Sequence, residues 1–408
     1  MGIFRGKIEL LGKEPSMPPA EEILKADGAL VIPGAVDPHV HIFSPGWIRE
    51  GFRSGTSAAA VGGVTTVADM ASVGEWLTWN REALLKKAEV GESEALVDFA
   101  LYAGEVQREE HLSGVPGALD EGAVGLGEIM MCEPDPVPDS DVLLRAMRIA
   151  AERDAVVAVH AEDRELISRA LERARGSSDW RDFSRARPEV AEAKAVLDAA
   201  VLGAEAGARV HVCHVSTEAG VRALDAAKSV HSSLTAEVTP HHLLLTEEDY
   251  DRLGPLLTVT PPVRSRRDCR ALWEALASGL IDAVATDHCA FSREEKEAPT
   301  PWESPAGLPG LETSVVLIWS EGVFKGRVSP GRAVDAMSVR PARILRLRKG
   351  RILPGWDADL VVLERGRWRL GRGVMRSAAD YTPYDGMEVS ARVRAVVSRG
   401  EVVSVEGE

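Results

Sequence analysis

Pro33-Gly34-Ala35-Val36-Asp37-Pro38-His39-Val40-His41 is the stretch from which the rest of the chain is read. Leu30 to Val36 is a short apolar run and reads as a strand, with two histidines two residues apart at its end. Side chains on a strand alternate between faces, so His39 and His41 project the same way. Two neutral imidazoles side by side suit a divalent ion of the zinc type. Alone, the stretch also fits a buried histidine beside a surface one.

Working outward, β-branched runs alternate with helical segments. Strands are expected at Val64–Ala68, Val97–Ala103, Ala123–Met131, Val156–Val159, Arg209–Val215, Leu234–Val238 and Ile281–Thr286. Helices are expected between them, among them Gly51–Gly63, Asn80–Val90, Asp141–Arg153, Glu189–Ala206, Glu218–Ser229 and Cys269–Ser278. This alternation predicts βαβ units and a parallel sheet, and eight strands predict a (β/α)8 TIM barrel. From Lys349 the texture changes to turn and strand: Leu360–Leu363, Val393–Val397 and Val402–Val405. The expected division is a barrel over 33–345 and a small β-sandwich domain from 1–32 and 346–408, into which a weak strand at Lys7–Leu11 pairs.

The 408 residues carry a formal charge of −15, which argues against nucleic acid or an anionic membrane as partner. No run of 18 apolar residues could span a bilayer, and the N-terminus lacks the apolar core of a signal peptide. The four cysteines, Cys132, Cys213, Cys269 and Cys289, lie far apart without a CxxC, which points to a reducing, cytoplasmic compartment.

Ionisable residues gather where the predicted strands end. His39, His41, His160, His214 and Asp287 fall at the C-terminal ends of four strands, the face on which such barrels place their active sites. His211 and His214 are three apart, so only one of them should look inward. Singly, His160 could be a core histidine and Asp287 a turn cap; together they form a candidate metal constellation.

Longer motifs carry a resemblance. Gly34–His41, Glu50-Gly51-Phe52, Ala58–Thr66, Val159-His160-Ala161-Glu162, His211–Ser216 and Thr239-Pro240-His241-His242-Leu243 resemble the cyclic amidohydrolases: dihydroorotases, allantoinases and hydantoinases. Pro261-Pro262-Val263-Arg264, Ala285-Thr286-Asp287-His288, Gly307–Thr313 and Pro354–Leu360 extend the likeness over nearly the whole chain. The resemblance implies a metal-bearing barrel with a β-sandwich built from both termini, acting on a small cyclic amide. It implies one metal on His39, His41 and Asp287 and a second on His160 and His214, zinc being the natural ion. Asp287 would be the acid/base, moving a proton from metal-bound water to the departing amide nitrogen. A homodimer or homotetramer is expected.

The sequence also departs from the family pattern. The family places a carbamylated lysine on the fourth strand, in a motif like Val-Gly-Phe-Lys, to bridge both metals. Here Val124-Gly125-Leu126 is followed by Gly127 and Glu128. On a regular strand that one-residue offset turns Glu128 to the other face, unless Gly127 introduces a bulge. Substrate positions differ as well: the arginine after the histidine pair is Phe43, an asparagine is Ser72, another is Thr260, and a histidine after Asp287 is Phe291. A phenylalanine cannot replace a bidentate arginine on a carboxylate, so dihydroorotate is a doubtful substrate and a more apolar ring is expected. The leading reading is a hydrolase opening a cyclic amide or ureide ring; the alternative is a non-catalytic barrel of the same ancestry, serving as a scaffold or binding subunit.

Overall fold

The computed structural model describes residues 1–13, 17–104, 106–132 and 137–405. Three short strands come first: β1 (Gly2–Phe4), β2 (Lys7–Leu10) and β3 (Leu30–Pro33). The barrel strands are β4 (Ala35–His41), β5 (Val64–Asp69), β6 (Asp98–Leu101), β7 (Gly125–Met130), β8 (Val156–His160), β9 (Arg209–Val212), β10 (Leu234–Val238) and β11 (Ala283–Val284). A two-residue β12 (His288–Cys289) follows, and β13 (Leu360–Arg369), β14 (Glu388–Ser398) and β15 (Glu401–Val405) end the chain.

The barrel is a (β/α)8 ring. β7 to β11 are neighbours in sequence order, as are β4, β5 and β6, and all these pairs are parallel. Two seams join the runs. Ala103 bridges to Leu126, with Ala103 N–H donating to the Gly125 carbonyl at 2.9 Å. On the other side β12 pairs with β4, and Asp287 N–H donates to the His39 carbonyl at 3.1 Å. Strands covered on both faces read as apolar runs, and Val156, Val157, Ala158 and Val159 are all buried. Outside, helix Glu189–Ala206 packs against Ser140–Ala151 and Glu218–Val230.

The stretch from Leu30 to His41 is two strands rather than one. Pro33 ends β3, which pairs antiparallel with β13, and Ala35 begins the barrel. Gly34 is the joint: a Cβ there would lie 2.1 Å from Thr65 Oγ1, so only glycine lets the chain pass so close to β5. β3 therefore enters the C-terminal sheet, whose order is β15-β14-β13-β3. The strand expected to do so, at Lys7–Leu11, instead pairs with β1 and reaches the sheet through an antiparallel bridge from Lys7 to Asp357. Ile8 is fully buried there against Ala358, Leu360 and Val397.

Between β13 and β14 the chain leaves the sheet and crosses to the barrel mouth. Glu312 accepts from Arg376 N–H at 3.1 Å and Ser377 N–H at 3.0 Å, and Glu50 accepts from Ala378 N–H at 3.1 Å. Asp380 accepts from Arg293 N–H at 2.7 Å. Loops from the first and last barrel units are thus tied to the C-terminal segment. Among the described residues, no helix is long and apolar enough to cross a membrane.

Candidate metal centre

Five strand ends converge. His39 and His41, on β4, bring their Nε2 atoms to 3.1 Å of one another, as alternation along a strand requires. Asp287, just past β11, places Oδ1 3.4 Å from His39 Nε2 and 3.5 Å from His41 Nε2. Its φ of 51° is left-handed, unusual for a non-glycine residue, and turns the carboxylate inward. Asp37 fixes this corner: its carboxylate accepts from Thr286 Oγ1 at 2.6 Å, Thr286 N–H at 3.1 Å and His39 N–H at 3.2 Å.

The second cluster is His160, His214 and Glu128. Glu128 Oε1 lies 2.8 Å from His214 Nε2 and 3.5 Å from His160 Nδ1. Its other oxygen is 3.6 Å from His39 Nε2 and 3.8 Å from His41 Nε2. The carboxylate therefore stands among all four histidines. A bulge makes this possible: against β8 the register shifts between Leu126 and Ile129, three residues of β7 spanning two of its partner. Gly127 occupies the bulge, where a Cβ would meet the Ala158 Cβ at 2.8 Å.

His211 and His214 correct a simple alternation argument, because both face inward. β9 ends at Val212, and His214 has a φ of 30°, so strand periodicity no longer governs it. His211 Nε2 contacts Glu237 Oε2 at 2.9 Å, while His214 contacts Glu128.

Buried carboxylates orient the rings from behind. Glu237 Oε1 is 2.6 Å from His39 Nδ1, so His39 donates there and leaves Nε2 free as a ligand atom. Glu162 does the same for His160 Nε2 at 2.8 Å and is itself gripped by Arg187. Glu237 is not among the residues expected from the sequence; its signal is a carboxylate inside the otherwise strand-like Leu234-Thr235-Ala236-Glu237-Val238.

These groups create a strongly negative, desolvated field. Burial opposes charge on His39, but Glu128, Glu237 and Asp287 outweigh it and pull the ring up to about 10. Burial, with His39 beside it, pushes His41 down to about 3. Burial alone would raise Glu128, yet His214 and His39 hold it well below the ordinary carboxylate range. Burial pushes Asp287 up to about 6, against the pull of His39 and His214. The donor spacing fits a cation. A tetrahedral shell with ligands about 2.05 Å from zinc places its donors about 3.3 Å apart. The distances within His39, His41 and Asp287, 3.1 to 3.5 Å, bracket that edge.

The four substrate-side positions do not form one cluster. Phe43 stacks on Phe52 at 5.2 Å and meets Trp76 edge-on at 5.0 Å, joining the layer between barrel and helices. The Ser72 hydroxyl donates to the Phe43 carbonyl. Thr260 is half-buried ahead of Pro261. Phe291 is buried with Ile48 and Cys289, and Trp47 links it to the histidines. The Trp47 ring lies 6.3 Å from Phe291 and edge-on to His41 at 5.5 Å. Trp47 is not among the residues expected from the sequence; it lies in the loop that follows β4.

Comparison with known proteins agrees with this architecture. Residues 30–403 match the model of the amidohydrolase family. L-hydantoinase of Paenarthrobacter aurescens is 36% identical over 424 residues, covering 99% of this chain and 90% of that protein. A dihydroorotase of Halobacterium salinarum is 38% identical, covering 87% of this chain and 82% of its own length. An allantoinase of Deinococcus radiodurans is 33% identical, covering 100% and 92%. The solved L-hydantoinase of Arthrobacter aurescens superposes with a TM-score of 0.94 at 34% identity, over 100% of this chain and 92% of that one. The chain thus belongs to the amidohydrolase family, among the cyclic amidohydrolases that break C–N bonds in cyclic amides.

Proposed function

We propose that this protein is a metal-dependent hydrolase that opens a neutral cyclic ureide or imide ring. One observation carries the reading: a single carboxylate, Glu128, stands 2.8 to 3.8 Å from nitrogens of four histidines belonging to two clusters. In this reading His39, His41 and Asp287 hold one cation, His160 and His214 a second, and Glu128 supplies the shared negative charge in place of a carbamylated lysine. Nitrogen and oxygen donors at these spacings suit zinc. A bound divalent ion would bring the pKa of water toward neutrality and polarise a ring carbonyl.

The chain's own groups do the rest. Asp287, whose carboxylate stands 3.4 and 3.5 Å from the His39 and His41 rings, takes a proton from the attacking water and returns one to the departing ring nitrogen. Glu237 and Glu162 hold the His39 and His160 rings in place, and Trp47 and Phe291 provide an apolar wall. Arg264 donates from Nε and one terminal nitrogen to Ser216 Oγ and to the carbonyls of Ser184 at 3.3 Å and Arg187, while its other terminal nitrogen is buried without a hydrogen-bond partner among the described residues. Phe43, where a bidentate arginine would hold a carboxylate, supports a neutral ring over dihydroorotate.

The test is a screen of metal-reconstituted protein against hydantoins, dihydropyrimidines, allantoin and dihydroorotate, with metal content measured on the same samples. Saturable opening of a neutral ring, dependent on one or two equivalents of metal, is expected. Full activity in metal-free protein would overturn the mechanism. The expected dimer or tetramer is checked by light scattering on the same preparation.

A further inference from the structure

His241 occupies a position matched to two residues of the candidate metal centre. In the barrel β10 lies between β9 and β11. His214 stands two residues beyond the end of β9, and Asp287 three beyond the end of β11. His241 stands three residues beyond Val238, the end of β10. Ladder bonds keep the strands level there: Val215 N–H donates to the Glu237 carbonyl at 2.9 Å, and Ala285 N–H to the Val238 carbonyl at 3.1 Å.

The three residues differ in what they touch. His214 meets Glu128, and Asp287 meets His39 and His41. His241 is 3% exposed, yet its Nε2 is buried without a hydrogen-bond partner among the described residues. Its surroundings hold it firmly. His242 packs against it at 4.4 Å between ring centroids, and is fixed by Thr239 Oγ1 at 2.8 Å and the Pro261 carbonyl at 3.0 Å. Thr239 caps the short helix Pro240–Leu244 that carries both histidines. Burial, followed by His242, His214 and His39, keeps the His241 ring neutral. A neutral ring nitrogen buried without a partner is costly unless a ligand supplies one.

We propose that His241 Nε2 hydrogen-bonds the substrate ring at its second amide edge, the carbonyl–NH pair that is not broken. The inference rests on the proposed ring-opening function and assigns the group that reads the ring's second amide edge. The ring must carry a second polar edge, as a cyclic ureide or imide does and a simple lactam does not.

The experiment compares wild type, His241→Phe, His241→Asn and His241→Gln, each metal-reconstituted. Metal content, kcat and KM for hydantoin or dihydrouracil are read, whichever the wild type opens. The Phe variant should raise KM ~10- to 100-fold with kcat within a few-fold and metal content unchanged. Asn, whose amide falls short of Nε2, should do the same, and keeps the test alive if the Phe variant fails to fold. Gln, whose amide overlies Nε2, should stay within a few-fold of wild type. An unchanged KM in the Phe and Asn variants overturns the proposal, as does loss of metal, which would place His241 in the metal centre. A wild type that opens no ring refutes the proposed function instead. Hydantoin binding to the same metal-loaded proteins by calorimetry then decides this inference: equal affinity in wild type and variants, or no binding at all, overturns it.

Discussion

The two halves of the candidate metal centre are built differently. His39, His41 and Asp287 come from the first and last barrel strands, adjacent across the closing seam, and include their own carboxylate. His160, His214 and Glu128 come from β7, β8 and the end of β9, and their only carboxylate is also within 3.8 Å of the other half. The first half is a complete three-donor set; the second depends on a shared anion. Two cations a few ångströms apart repel strongly, so the shared charge decides whether the second half fills.

The largest effect should come from the self-sufficient half. Changing His39 and His41 together to alanine should abolish metal binding and all ring opening, read by elemental analysis and turnover. Next, Asp287→Asn keeps an oxygen donor but removes the proton acceptor, so turnover should fall ~10²-fold or more while most metal stays. Unchanged turnover would assign the proton to another group. Glu128→Gln should then separate the halves, taking stoichiometry from two ions toward one. If wild type already holds a single ion and the variant matches it, the second half is not a metal site.

A smaller effect is expected one layer back. Glu237→Gln leaves every candidate ligand in place but weakens the hold on His39, so metal affinity should drop ~10- to 100-fold in competition with a chelator. Wild-type affinity would mean that packing alone orients the ring. The mildest comparison concerns specificity: dihydroorotate should be turned over poorly beside a neutral ring. Efficient hydrolysis of dihydroorotate would show that Arg264 or Arg293 binds its carboxylate.

The contrast between the halves also marks how far the sequence can be read. The histidine pair and Asp287 are legible because period-two alternation and strand-end position fix their direction. Glu128 is legible only as an alternative, since its direction turns on whether Gly127 bulges, and that shows only in the register against β8. His214 escapes periodicity altogether, because β9 stops at Val212. Glu237 gains its meaning from a contact across the barrel with His39, and Trp47 from its loop folding back onto His41, neither of which a local pattern announces. The break at Gly34 is hidden for the same reason: β3 and β4 look like one strand until their partners are known.

That break affects the order of assembly. Among the described residues β3, Leu30–Pro33, pairs only with Leu360–Leu363 of β13, so the segment leading into the first barrel strand is fixed by residues made near the end of synthesis. At typical rates of about 5–20 residues per second, the ribosome takes tens of seconds to deliver them. Until then β4, carrying both histidines, has β5 on one side, while β13 at its base and its closing partner β12 are both late products. Contacts so distant in sequence make for slow folding, and the nascent chain must stay soluble with its sheet open. The first histidine pair to be synthesised is therefore completed only when the last strands arrive.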